Sequence, residues 1–194
     1  MNRDSLRIFD EYLAASAVAG DREALGRLVA RWQPRLIRHA WRLLGDADSA
    51  GDMVQEARIE ILRGLARLDD VAAFPAWAYR IVTRRCQRRF QRSDRERWVP
   101  EDAAEEAMER DESFHVPDRE SGEFAAELAN VMQAISTLPP PQRAALALFY
   151  IEDLGVAEIA IALDVPPGTV KTRLMHARRK VRAQLEGEHH EERR

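Results

Sequence analysis

The stretch Val165 to Leu185 carries six Lys or Arg side chains and no acid, a local surplus of +6 in a chain whose formal net charge is only −3. Within it Val170, Leu174, Ala177, Val181 and Leu185 recur at spacings of four, three, four and four, the signature of one buried helix side. Lys171, Thr172, Arg173, His176, Arg179 and Lys180 are left outside or at the edges. A helix of this kind can enter the major groove of DNA: Arg and Lys reach guanine O6 and N7, and Thr169 with the unpaired first-turn N–H groups meets a phosphate. An ordinary solvated face mixes both signs, and this one does not. A second basic block runs from Val71 to Pro100, with eight Arg against Asp94 and Glu96. Between the two lies Glu101 to Asn130, with eleven acids against Arg110 and Arg119. Two polyanion-binding surfaces joined by a solvated acidic spacer is the arrangement this asymmetry suggests.

The elements that must carry these groups are all helical, and no alternating pattern competes anywhere. Asp21 can cap a helix whose stripe includes Leu25, Leu28, Val29, Trp32, Leu36, Ala40, Trp41 and Leu44, with Pro34 expected to kink or interrupt it. Gly45 ends that helix and Asp46 caps the next, with Met53, Ala57, Ile61, Leu65 and Leu68 as its core side. A third starts near Pro75 and turns Phe74, Trp77, Ala78, Ile81, Val82, Cys86 and Phe90 inward, with the Arg cluster around the rest. Periodicity lapses from about Ser93 to Gly122, which reads as a linker. It resumes with Phe124, Leu128, Val131, Ile135 and Leu138, breaks at Pro139 to Pro141, and continues from Gln142 to Ile151. Helices over Val156 to Leu163 and about Pro167 to Leu185, separated by Asp164, Val165 and Pro166, have the anatomy of a helix-turn-helix.

The stretch LPPPQRAALALFYIEDLGVAEIAIALDVPPGTVKTRLMHARRKVRAQL closely resembles region 4 of the extracytoplasmic-function (ECF) sigma factors of bacterial RNA polymerase. GDADSAGDMVQEARIEILRGL and FPAWAYRIVTRRCQRRFQR resemble their region 2. The resemblance implies an all-α protein of two small helical domains on an acidic flexible linker: an N-terminal helical extension (1–20), region 2 (21–93), linker (94–123), region 4 (124–187) and a polar tail (188–194). It implies docking on core polymerase through Asp52, Met53, Val54, Gln55 and Glu56; Asp52, Glu56, Ile59 and Arg63 share the face opposite the core stripe, with Gln55 beside it. It places melting and reading of the −10 element on Trp77, Tyr79, Arg80, Arg84, Arg85, Arg88 and Arg89, with Trp77 expected in the core and Tyr79 as the exposed ring. Thr169, Lys171, Thr172, Arg173, His176 and Arg179 are the residues expected to read the −35 element. The sequence departs from the family pattern at Arg84, where Asn is common, near Arg88, where Asp is, and at Pro166, where a capping Ser or Thr is frequent. The loop Asp69 to Phe74, expected to help hold a flipped base, offers mostly small side chains.

Other chemistries find little support. DADSAGD (46–52) has acids at the first and third positions of a calcium loop, but the fifth is Ala50 and the twelfth is Ala57. His189, His190, Glu191 and Glu192 read as a polar tail rather than a metal site, His39 and His115 lack ligand-spaced companions, and lone Cys86 reads as an inert core thiol. No GxSxG, GxxxxGK[ST] or HExxH motif occurs, so an enzyme is not expected, nor a cofactor. With no long apolar run and no signal-peptide shape, a cytoplasmic protein is expected. The resemblance adds core polymerase, promoter DNA and an anti-sigma factor as partners. Two alternatives differ in class: a stand-alone helix-turn-helix regulator of an operator, and a helical adaptor for acidic proteins or RNA.

Overall fold

The computed structural model describes the backbone of residues 3–93 and 123–191, and the side chains of 5–90 and 130–186. The expected acidic linker falls outside the described residues. Among those described, the helices follow in order: α1 (Arg3–Val18), α2 (Arg22–Leu44), α3 (Ala47–Leu65), α4 (Phe74–Ser93), α5 (Glu123–Ser136), α6 (Pro140–Tyr150), α7 (Val156–Leu163) and α8 (Pro167–Glu191). A 3₁₀ turn over Val71–Ala73 leads into α4, and no strand occurs among the described residues.

Local chemistry fixes the helix ends. The Asp21 carboxylate accepts from the N–H groups of Glu23 and Ala24, and Asp46 from that of Ser49, so both acids satisfy first-turn donors. Gly45 closes α2 in the left-handed region at φ 74°, its N–H on the Trp41 carbonyl. Pro139 to Pro141 stop α5 and open α6, with Pro at its first positions. Of the kink or interruption expected at Pro34, the interruption does not occur: α2 runs through it with the ring exposed, and Leu28, Trp32, Leu36 and Ala40 on both sides share one core.

α1 to α4 form the first bundle, with α2 packed on α1, α3 and α4. Its centre is aromatic. Trp32 meets Phe74 edge-on at 5.0 Å between centroids and Tyr79 at 5.5 Å, and the His39 ring lies 4.9 Å from Tyr79. Trp77 packs its ring against Gly64, where a Cβ would stand 2.7 Å from the ring. In the second bundle α8 packs on α5, α6 and α7, burying Val170, Leu174 and Ala177 against Leu148, Ile159 and Leu163. The two bundles also pack on each other, α7 against α4 and α6 against α2.

One expectation is overturned in the aromatic centre. Tyr79 is fully buried, not exposed: Trp32 and His39 of α2 pack on its ring, and Thr83, one turn on, is buried beside His39, so a single apolar stripe undercounts what α4 hides. Phe90, expected inside, is 42% exposed, in a run from Gln87 where every side chain is exposed. α8 continues to Glu191, past the expected end at Leu185 and into the expected polar tail.

Candidate nucleic-acid interface

In α8 the seam residues turn inward and the cationic set turns out. Lys171, Thr172 and Arg179 are exposed; Thr169, Arg173 and His176 are half-buried at the edges. Among the described residues neither Lys171 nor Arg179 makes an ion pair. Pro166 stands where a side-chain cap would, so Thr169 and the first-turn amides are what this end offers an anion. The Thr172 hydroxyl donates to the Gly168 carbonyl at 3.1 Å. Arg178 faces α6 instead, donating to the Tyr150 hydroxyl at 2.9 Å and lying over the Phe149 ring.

The α4 arginines divide between two sides, Arg80 and Arg84 toward the second bundle and Arg85 and Arg89 toward α3, and most are engaged. Arg80 and Arg84 both donate to Asp164 in the helix-turn-helix turn, at 2.9 and 3.1 Å. Arg85 reaches Glu56 at 3.0 Å and Glu60 at 2.8 Å on α3. Arg89 donates to the Ser49 hydroxyl at 2.8 Å, and Arg88 is exposed. Partial burial pushes the Asp164 carboxyl up, and the hydrogen bonds from Arg84 and Arg80 more than reverse this, leaving it below the usual carboxylate range. Asp52, Gln55, Glu56, Ile59 and Arg63 form one exposed strip along α3, with Ile59 53% exposed.

Sequence reasoning missed the polar cluster beneath this surface. Arg35 on α2 donates to Asp10 of α1 at 2.9 Å and to Glu152 of the α6–α7 loop at 2.7 Å, and stacks over Trp32 at 4.1 Å. Arg31 adds a 2.7 Å bond to Asp10. Asp10 and Glu152 are buried carboxylates, each matched by guanidinium donors. His39 is fully buried with Nε2 2.9 Å from the Thr83 hydroxyl; burial, then Arg42 nearby, pushes its pKa down to about 3, so the ring is neutral. Cys86 is buried, which pushes its thiol up to about 12, in keeping with an inert core residue. The available signal was the run Glu152, Glu158, Asp164, acids six residues apart that end where the all-basic stretch begins.

A groove of about 610 Å³ opens where the bundles meet. Trp41 walls it from α2, and Val131, Ile135, Leu146, Val181 and Leu185 from the second bundle. Arg42, Arg143, Arg178 and Arg182 also line it.

Comparison with known proteins agrees with this layout. The Sigma-70 region 2 model matches residues 28–96 and the Sigma-70, region 4 model residues 128–181. The chain is 31% identical over 170 residues to the ECF RNA polymerase sigma factor SigW of Bacillus subtilis, covering 86% of this chain and 91% of that one. It is 32% identical over 173 residues to the RNA polymerase sigma-H factor of Pseudomonas aeruginosa, covering 87% and 90%. Among solved structures, CnrH in complex with the cytosolic domain of CnrY superposes with a TM-score of 0.58 at 25% identity, covering 92% of this chain and 98% of that one. RpoE of Bartonella quintana, in its co-crystal with the anti-sigma factor NepR, shares the fold at a TM-score of 0.63 and 20% identity, covering 84% and 96%. With both region models in order and relatives matched along nearly their whole length, the chain belongs to the ECF sigma factors of bacterial RNA polymerase.

Proposed function

We propose that this sigma factor divides its work among three surfaces. The α3 strip of Asp52, Gln55, Glu56, Ile59 and Arg63 docks on core polymerase; its exposed Ile59 set among charges suits a partner helix. The outer face of α8 reads the −35 element as duplex, with Lys171, Arg173 and Arg179 on base edges and phosphates, Thr172 and His176 beside them, and Thr169 at the helix start. The arginines of α4, namely Arg80, Arg84, Arg85, Arg88 and Arg89, hold the strands of the melted −10 element. Tyr79 does not stack on a base while it is buried; Trp77, half-buried at the bundle's edge, is the better placed ring. The catalysis is the polymerase's, and the protein acts in the cytoplasm, where its template is.

The observation that carries this reading is the outward cationic face of α8 beside its buried seam of Val170, Leu174 and Ala177. The interdomain groove, largely apolar with four arginines against the single carboxylate of Glu186, suits an amphipathic helix of acidic character, and we assign it to an anti-sigma factor. In vitro transcription by core enzyme on a promoter library tests the function. Initiation from a selected subset of promoters, only when the chain is added, is the expected result. Tight operator binding without core would favour the stand-alone regulator, and capture of acidic proteins in the absence of nucleic acid the adaptor.

A further inference from the structure

Among the described residues, the ion pairs that join the two bundles share one polarity. Glu152, Glu158 and Asp164 of the second bundle meet Arg35, Arg7 and the Arg80–Arg84 pair of the first, at 2.7, 2.9, 2.9 and 3.1 Å. Glu152 is pinned in the seam, whereas Asp164 sits at its edge, one-third exposed, on two arginines of the proposed −10 surface. We propose that these carboxylates form an electrostatic clasp that shuts the free protein, and that Asp164 occupies Arg80 and Arg84 in place of promoter phosphates. This rests on the proposed assignment of α4 to DNA.

Geometry makes the clasp incompatible with promoter reading. Elements centred near −10 and −35 lie about 25 base pairs apart, roughly 85 Å along B-form DNA at about 3.4 Å per base pair. The turn of the −35 reader cannot then rest 3 Å from the −10 reader. The chain between Ser93 and Glu123 can reach about 100 Å when extended, enough for the bundles to part. Opening exchanges Asp164 for phosphates on the same two guanidinium groups, so little electrostatic energy is lost at that edge once DNA arrives. Before that, Arg80 and Arg84 are screened while Lys171 and Arg179 stay exposed.

Small-angle scattering of the full-length chain, at low salt and at about 0.5 M salt, tests this. Asp164→Asn keeps the fold, since residue 164 sits at φ 56° where Asn is at ease, and removes the charge. The expected result is a larger radius of gyration for Asp164→Asn than for the natural chain at low salt, with about a fivefold rise in the open-to-closed ratio, and convergence of the two at high salt. Asp164→Arg should open further, and Arg84→Glu on that background should close the molecule again. Association with core polymerase should be several-fold faster for Asp164→Asn. Scattering by Asp164→Asn and Asp164→Arg that matches the natural chain at low salt would overturn the clasp, whatever transcription assays show. Failure to bind core, with these scattering changes present, would instead sink the sigma reading and leave the clasp standing.

Discussion

Helices α4 and α8 carry similar densities of positive charge, yet they differ in how much of it is available. On α8, Lys171 and Arg179 meet no carboxylate among the described residues, and the buried Val170, Leu174 and Ala177 on the opposite side leave both exposed. On α4, Arg85 is taken by Glu56 and Glu60 of α3, and Arg80 and Arg84 by Asp164 of the second bundle. One basic face is open to solvent, and on the other three arginines are already held by carboxylates. Charge counted along a sequence measures capacity; tertiary neighbours decide what is free.

The contrast can be broken most severely at its base. Arg35→Ala leaves the buried Glu152 carboxylate in the seam without its guanidinium, and removing one partner of such a pair should cost about 3–5 kcal/mol, read as a lower denaturation midpoint. Next comes Lys171→Ala on the open face, where removing a base-edge hydrogen bond should weaken −35 binding by about 1–3 kcal/mol without altering stability. Unchanged promoter selection would place that side chain off the base edges.

Acid should separate the two bundles. His39 has a folded pKa of about 3, below the unfolded 6.5, so the unfolded chain takes up the proton first. Stability contributed by the neutral ring is intact above pH 6.5 and is lost as pH falls toward 3, at up to about 1.4 kcal/mol per pH unit. Asp164, held below its ordinary value, loses its contribution only at lower pH, below about 4. Denaturation between pH 7 and 5 should therefore show a slope that His39→Gln flattens and Asp164→Asn does not. The smallest effect sharpens the comparison within α4. Arg88→Ala should lower the salt slope of open-complex formation by about one unit, the change expected when one phosphate is no longer neutralised by the protein. Arg84→Ala should lower it less as measured from the free chain, because that side chain gives up Asp164 on meeting DNA.

Much of this was legible in the sequence where the determinants are local. The caps at Asp21 and Asp46, the stop at Gly45, the proline boundary, α7 and the seam of α8 all depend on residues within a turn or two of each other. The outer set on α8 followed from the same periodicity. What was not legible depends on how the helices pack together. Tyr79 is hidden because Trp32 and His39 of α2 pack on its ring, and Glu152, over a hundred residues from Arg35, has no local pattern to announce its partner. Pro34 shows the converse, a strong local breaker overridden by a shared core. The arginine face of α4 is thus the part of the candidate site least readable from sequence, since its state is set by carboxylates on two other elements.

The most direct test is strand-specific footprinting of a selected promoter with core polymerase, the chain, or both. The account predicts protection around −35 together with permanganate-reactive, unpaired thymines around −10 only when both are present, and disappearance of the −35 protection on Lys171→Ala with Arg179→Ala. Protection of both elements by the chain alone, or no change on adding it to core, would contradict it.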